Sequence, residues 1–93
     1  MISEKKLQEI KDRLDGAAVV IILNHIGYTF YRGNKFKLRP EEKTPSASIR
    51  ADGYIKDFGG DFGGDLFSLL QEYHDMRFDE AVGYVATCLG MEL

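Results

Sequence analysis

The chain has 93 residues and a net charge of −3, with 44% hydrophobic and 29% charged residues. This composition is typical of one globular domain and excludes a disordered chain. No apolar run approaches the roughly 20 residues that span a bilayer, and the first residues do not match a signal peptide. The single cysteine, Cys88, fits a reducing compartment. We therefore expect a single domain over residues 1–93, in the cytoplasm and outside the membrane.

The N-terminal third predicts helical structure. Ser3 is a suitable N-cap, and apolar residues follow on one stripe as far as Leu14. Asp15-Gly16 breaks this helix. The next stretch, from Ala17 to Ile26, is apolar and β-branched, so its pattern fits either a helix or a strand.

The middle of the chain predicts a meander of about four strands. Residues 28–31 are aromatic, Gly33-Asn34 is a turn pair, and residues 35–39 alternate between basic and apolar. Residues 46–50 and 54–58 flank Asp52-Gly53, which indicates a second hairpin. The glycine-rich residues 59–64 are predicted to be irregular.

Two helices are predicted after the meander. Asp65 can cap a helix over residues 66–74, and a last helix over residues 78–89 ends at Gly90. Cys88 lies near the apolar stripe of this last helix, and its side chain is expected in the hydrophobic core. The predicted fold class is therefore α+β, an antiparallel β-sheet meander flanked by N-terminal and C-terminal helices.

Basic residues concentrate in the middle of the chain. Residues 32–56 carry seven basic and three acidic side chains, whereas residues 57–93 carry one basic and eight acidic. This indicates a local anion-binding face that can follow a phosphate backbone, although a solvated sheet face has the same pattern. The connection at residues 43–46 can present its ammonium and hydroxyl groups to a phosphate, or can simply be a capped turn. The candidate nucleic-acid-binding residues are Arg32, Lys35, Lys37, Arg39, Lys43, Thr44, Ser46, Arg50 and Lys56.

Aromatic residues on the same strands are candidates for base stacking. Tyr31 and Tyr54 are the preferred platform, and Tyr28 and Phe58 are two further candidates. Aromatic residues on strands belong to the core more often than to the surface, so we expect at most one or two of the four rings to be exposed.

The segment from Asp57 to Asp65 is rich in glycine and carboxylates. Asp57, Asp61 and Asp65 are a distant candidate for a Ca²⁺ or Mg²⁺ site, but the EF-hand spacing is missing. The plainer interpretation is a glycine turn containing positive φ angles, with Phe58 and Phe62 packed inward. No pairing of a nucleophile with a base is visible, so no catalytic residue is expected.

Four short motifs occur in order: Tyr31-Arg32-Gly33-Asn34-Lys35-Phe36, Glu42-Lys43-Thr44-Pro45-Ser46, Gly64-Asp65-Leu66-Phe67-Ser68-Leu69 and Phe78-Asp79-Glu80-Ala81-Val82. Together they resemble the N-terminal zinc-binding domain of bacterial DnaG-type DNA primases. At the family's three cysteine positions this chain has Arg39, Asp57 and Gly60, and the histidine is deleted or replaced by Glu41 or Glu42. The resemblance implies a zinc-ribbon-like sheet that has lost its metal, and a second helix that ends at Gly27.

The resemblance also implies a function. In the family this domain recognises single-stranded template DNA during replication, while a separate domain polymerises primers. The chain is therefore expected to be a DNA-binding recognition domain without a cofactor or enzymatic activity of its own. It would serve a primase or a primase-like protein of a phage or mobile element, with single-stranded DNA and other replication proteins as partners. The alternative is a zinc-free protein–protein adaptor that uses its acidic C-terminal helices. Either way, packing must replace the metal, and the side chains expected to do so are Phe36, Leu38, Phe58 and Phe62.

Overall fold

Two capped helices open the computed structural model, which describes residues 2–92. Helix α1 covers Glu4–Asp12, and the Ser3 hydroxyl accepts a hydrogen bond from the Lys6 N–H at 3.1 Å. Helix α2 covers Gly16–Ile26, with the Asp15 carboxylate accepting from the Ala18 N–H at 2.9 Å. The ambiguous apolar stretch is therefore a helix that ends at Gly27, as the resemblance implied. Its buried residues recur at helical spacing, at Val19, Ile22 and Leu23.

A five-stranded sheet follows the helices. The strands are β1 (Phe30–Tyr31), β2 (Lys35–Phe36), β3 (Ala47–Ile49), β4 (Ile55–Asp57) and β5 (Gly63–Gly64). They lie side by side in chain order, and every neighbouring pair is antiparallel. The α+β meander is thus confirmed, with one strand more than predicted.

The fifth strand corrects the prediction that residues 59–64 are irregular. Its pairing with β4 extends one residue before β5, because the Asp57 N–H donates to the Phe62 carbonyl at 3.0 Å. Glycine fits here because the Tyr54 side chain reaches over β5: a Cβ on Gly63 would lie 2.6 Å from the Tyr54 hydroxyl. Glycine is generally unfavourable in a strand, but it is favoured where another group approaches the backbone closely.

The register separates the two faces of the sheet. Tyr31 pairs with Lys35, Lys35 with Ser48, Ser48 with Lys56, and Lys56 with Gly63, so these five residues form one row across all five strands. Because side chains alternate along a strand, the row points away from the core. We call this side of the sheet the outer sheet face.

The inner sheet face packs against the helices. Helix α3 covers Leu66–Tyr73 and is capped by Asp65, whose carboxylate accepts from the Ser68 N–H at 2.9 Å. Helix α4 covers Phe78–Cys88 and is followed by Gly90 at φ 73°. The core combines both sheet and helices, and its fully buried large side chains include Phe36, Ile55, Leu66, Phe67, Leu69, Leu70, Val82 and Val85.

Two further observations concern the C-terminal helix and the membrane. Cys88 was expected in the core but is exposed, because it lies off the buried stripe formed by Ala81, Val82, Val85 and Ala86. Within residues 2–92, no helix is both long enough and apolar enough to cross a bilayer.

Candidate nucleic-acid interface

The outer sheet face carries aromatic rings on β4 and its extension. Tyr54 and Phe58 flank Lys56, while the intervening Ile55 and Asp57 are buried. The Phe58 side chain is 75% exposed and the Tyr54 side chain 37% exposed. The Phe58 N–H donates to the Ser46 carbonyl at 3.0 Å, so its backbone is still held in the sheet. Alternate residues of a strand lie about 7 Å apart, and the two rings therefore flank one ammonium group, one ring at each end of β4.

The other strands add a second lysine and a third ring. Lys35 and Lys56 are both exposed, and each pairs with Ser48 on the strand between them. Adjacent strands are about 4.8 Å apart, so the two lysine backbones are separated by roughly 10 Å. Tyr31 lies next to Lys35 on the edge strand and is 46% exposed. Across the sheet, the row therefore places one ring and two ammonium groups on the same face, with Ser48 between the two lysines.

The turn between β3 and β4 orients another cation. The guanidinium of Arg50 lies 5.0 Å from the centre of the Tyr54 ring, and one of its nitrogens is 2.7 Å from an Asp52 oxygen. A hydrogen bond from the Tyr54 N–H, together with the nearby Arg50 charge, lowers the pKa of Asp52. The Arg50–Asp52 pair is exposed, and exposed pairs contribute little stability. Arg50 can therefore exchange its carboxylate partner for a phosphate at little cost.

A partly buried ionic cluster lies behind the outer sheet face, at the end of β4. It consists of Arg39, Glu42, Ser46 and Asp57. The Arg39 Nη2 atom lies 2.8 Å from Asp57 Oδ2 and 3.0 Å from Glu42 Oε2. The Ser46 hydroxyl joins the two acids, at 3.0 Å from Asp57 Oδ1 and 2.9 Å from Glu42 Oε2. The segment before β3 is thereby tied to β4 through side chains.

Burial and hydrogen bonding act in opposite directions on Asp57, which is 0% exposed. Burial raises the pKa of Asp57, but hydrogen bonds from Arg39, the Gly59 N–H and Ser46 outweigh it, and the pKa is lowered. The pKa of Glu42 is also lowered, first by the hydrogen bond from the Arg39 N–H and then by Ser46. The hydrogen bond to Asp57 raises the pKa of Arg39 in turn. All three groups are therefore charged at neutral pH.

Gly59 and Gly60 pack directly against the ionic cluster. A Cβ on Gly60 would lie 2.7 Å from Asp57 Oδ2 and 3.1 Å from Arg39 Nη2. A Cβ on Gly59 would lie 2.6 Å from the Ser46 Oγ. Neither glycine, nor Gly63 or Gly64, has a positive φ. The prediction of positive φ angles in this segment is therefore wrong. Glycine is needed at these positions because other side chains approach the backbone closely.

The three positions that the resemblance matches to zinc-binding cysteines come together in space. Arg39 and Asp57 form the central ion pair, and Gly60 lies against both. These residues do not fit a bound zinc ion, because the guanidinium places a positive charge between the two carboxylates. The less favoured candidate metal site, a Ca²⁺ or Mg²⁺ site at Asp57, Asp61 and Asp65, does not form, because these three carboxylates do not come together. Asp57 belongs to the ionic cluster, Asp65 caps α3, and no metal-binding group of three or more acids, histidines or cysteines occurs within residues 2–92.

The predicted phosphate-binding residues fall into two groups. Arg39 and Ser46 are engaged in the ionic cluster, where Arg39 also donates to the Tyr73 hydroxyl at 3.2 Å. The side chains of the other predicted residues are exposed or half-buried; they are Arg32, Lys35, Lys37, Lys43, Thr44, Arg50 and Lys56. The second group is placed to meet a ligand without disrupting the ionic cluster.

Phe58 is the aromatic residue that the sequence interpretation misplaced. It was expected to pack inward with Phe36, Leu38 and Phe62, and those three are indeed buried. Three of the four candidate rings are exposed instead of at most two; the fourth, Tyr28, is half-buried. The strand pattern contained the signal, because alternation from Ile55 through Asp57 places Phe58 on the same face as Lys56.

Comparison with known proteins adds no family. A scan against protein-family models finds none that matches this chain, and a search of curated proteins finds no similar sequence.

Proposed function

We propose that this protein binds single-stranded nucleic acid, and specifically single-stranded DNA, through the outer sheet face. The observation that carries the proposal is the alternating set Tyr54, Lys56 and Phe58, in which Lys56 belongs to β4 and the two rings flank that strand. Lys35 on β2 and Tyr31 on β1 lie on the same face. Bases stack on aromatic rings with about 1–3 kcal/mol each, and lysines follow the phosphates. Each component of the ligand therefore has a matching group on one rigid surface.

The exposed rings favour a single strand over a duplex. In a double helix the faces of the bases are stacked on one another, and only their edges are available in the grooves. A ring such as Phe58, which is 75% exposed and carries no polar atom, cannot read those edges. It can offer a flat apolar surface to an unstacked base.

We further propose that the domain serves as the recognition module of a primase or primase-like replication protein, acting by binding and not by catalysis. The support is the resemblance of the four motifs to the primase zinc-binding domain. The α+β meander agrees with it, and so does the contact among Arg39, Asp57 and Gly60. In this proposal the ionic cluster takes the place of the metal. Because the cluster lies behind the outer sheet face, that face remains free to bind DNA.

The direct test is fluorescence anisotropy with a labelled oligothymidine of about 12 nucleotides, within the usual site size for such surfaces. We expect micromolar or weaker affinity at low salt, because the protein is acidic overall. The double reversal Lys35→Glu and Lys56→Glu should weaken binding at least about tenfold and reduce the log–log salt slope by roughly 1.4, at about 0.7 per phosphate contact.

The matched control reverses Lys5 and Lys11, which are exposed and belong to α1. That variant has the same net charge as the sheet-face variant, so it separates a local contact from general repulsion. We expect its affinity to stay close to that of the unmodified protein. Binding that is indifferent to salt and to the sheet-face reversal would contradict the proposal and favour the adaptor function.

A further inference from the structure

An open cleft of about 560 Å³ lies at the β1 edge of the sheet. It is bounded by the connection between α2 and β1, the segment that follows β2, and the end of α3. Its volume falls within the roughly 300–1,000 Å³ that is usual for small-molecule sites. The residues that matter for its chemistry are Tyr28, Thr29, Tyr31, Lys37, Tyr73 and His74.

The aromatic wall of this edge cleft is held in place by its own contacts. The Tyr28 hydroxyl is 2.9 Å from His74 Nε2, and the two rings meet edge to face at 5.7 Å. Tyr73 accepts the hydrogen bond from Arg39 and packs edge to face against Phe62 at 5.7 Å. The wall is therefore formed before any ligand arrives, which reduces the ordering cost of binding.

Lys37 supplies a positive charge to the edge cleft. Its side chain is half-buried, and no carboxylate lies within 4 Å of it among residues 2–92. Arg39 also lines the cleft, but its charge is balanced by Asp57 and Glu42. Glu41 lines the cleft as well, so an anion is favoured at Lys37 and disfavoured at the Glu41 side.

The edge cleft is continuous with the outer sheet face. Tyr31 belongs to both, since it pairs with Lys35 in the transverse row and also lines the cleft. Lys37 follows Lys35 on the same side of the alternation, with the buried Phe36 between them. A single DNA strand that crosses the sheet along the transverse row therefore reaches the edge cleft where it passes β1.

We infer that the edge cleft binds one nucleotide of the DNA strand, with its base against the Tyr28–Tyr73 wall and its phosphate at Lys37. This inference rests on the proposed function, because the continuity with the outer sheet face is what selects a nucleotide among anionic aromatic ligands. The cleft gives the interface a polarity that stacking alone does not provide. A phosphate at one end and a base at the other fix the direction of the strand.

The test is an NMR titration of the full chain with thymidine monophosphate, thymidine and inorganic phosphate, in which the backbone amide signals are followed. Thymidine monophosphate should shift the signals of Gly27, Tyr28, Thr29 and His74, and should bind more tightly than thymidine or phosphate. Lys37→Gln should weaken it at least about fivefold, whereas Lys5→Gln, on α1 and outside both the cleft and the outer sheet face, should leave it unchanged. If Lys37→Gln disturbs the fold, the exposed Thr29→Glu provides the second variant, since its carboxylate repels the phosphate.

The outcomes separate this inference from the proposed function. Shifts that map elsewhere, or equal binding of phosphate alone, overturn the cleft inference. If the oligonucleotide binds in a Lys35- and Lys56-dependent manner but the mononucleotide does not bind, the cleft inference fails and the sheet-face function stands. If the mononucleotide binds through Lys37 but an oligonucleotide binds no more tightly, the sheet-face function fails.

Discussion

A carboxylate with no exposed surface holds the end of β4. Asp57 accepts hydrogen bonds from Arg39, Ser46 and the Gly59 N–H. A buried charge is tolerated only when such partners replace the lost water. No buried side-chain nitrogen or oxygen within the described part of the chain lacks a partner. The charge of Asp57 is therefore part of the fold.

Because the pKa of Asp57 and that of Glu42 are lowered in the folded state, we expect a specific loss of stability in acid. Their charged forms contribute stability above the unfolded pKa values, about 3.9 for Asp and 4.3 for Glu. That contribution is lost as the pH falls below about 4, through the folded pKa values. Urea unfolding between pH 7 and pH 3 measures it.

Asp57→Asn tests the assignment of this pH dependence to the ionic cluster. The variant should lose about 2–3 kcal/mol at pH 7, the order expected when a buried partner of a charged group is removed. It should also show a weaker loss below pH 4. Asp61→Asn, at an exposed position four residues away, is the control and should stay within about 0.5 kcal/mol of the unmodified protein. Equal behaviour of the two variants would show that the cluster does not stabilise the fold.

Phe58 and Phe62 belong to one short segment but should respond oppositely to truncation. Phe58→Ala should weaken single-stranded DNA binding by about 1–3 kcal/mol and leave the unfolding midpoint unchanged, because the ring is exposed. Phe62→Ala removes a buried ring and should cost about 3–5 kcal/mol of stability. Anisotropy and thermal unfolding of both variants check this. A stability loss for Phe58→Ala, without a loss of binding, would contradict the assignment.

At the scale of elements, the segment from β4 to β5 joins the ionic cluster to the outer sheet face. Gly60 lies against the cluster, and Gly63 lies beneath Tyr54 on the opposite side of the sheet. The two glycines are three residues apart and have different neighbours. Gly60 contacts a short, buried carboxylate, whereas Gly63 contacts the tip of an exposed side chain.

The two glycines predict different costs for an added methyl group. Gly60→Ala places a Cβ 2.7 Å from Asp57 Oδ2, which cannot move without breaking its hydrogen bonds. We expect a loss of about 1–3 kcal/mol from overpacking. Gly63→Ala meets only the exposed Tyr54 side chain, which can swing aside, so stability should change little while DNA binding weakens. Chemical denaturation and anisotropy distinguish the pair; equal stability of both variants would contradict this account.

At the scale of the whole molecule, apolar packing and the ionic cluster together tie the sheet to the segment that precedes β3. Phe36, Leu38 and Phe62 are buried, and each large apolar side chain contributes about 1.5–3 kcal/mol on burial. A structural zinc ion would contribute about 10–16 kcal/mol of apparent binding energy in a small domain. The Arg39 guanidinium carries the positive charge between the carboxylates that a metal would otherwise supply.

We therefore expect the protein to fold independently of metal. Its thermal midpoint should be the same with and without EDTA, and elemental analysis should find no stoichiometric zinc. A midpoint that falls on addition of the chelator would refute this expectation. The Asp57→Asn variant in the same experiment shows how large a shift the loss of the cluster produces.

Local features of the fold were predictable from the sequence. Helix ends are marked by local hydrogen bonds or backbone angles, at Ser3, Asp65 and Gly90. The hairpin turns contain the pairs Gly33-Asn34 and Asp52-Gly53. Each of these signals is complete within a few consecutive residues, so no distant contact can override it easily. The α+β order followed from them.

Other features were decided by contacts between distant residues. Arg39 was predicted as a phosphate-binding residue, yet it pairs with Asp57, eighteen positions away. The sequence alone determined the helix caps, the hairpin turns and the basic middle segment, because these depend on neighbours along the chain. Only the tertiary structure decided that Arg39 faces the cluster and Phe58 faces solvent. The free energy of burying a charge or a ring depends on which partners the folded chain brings to it, and these partners come from separate strands and helices.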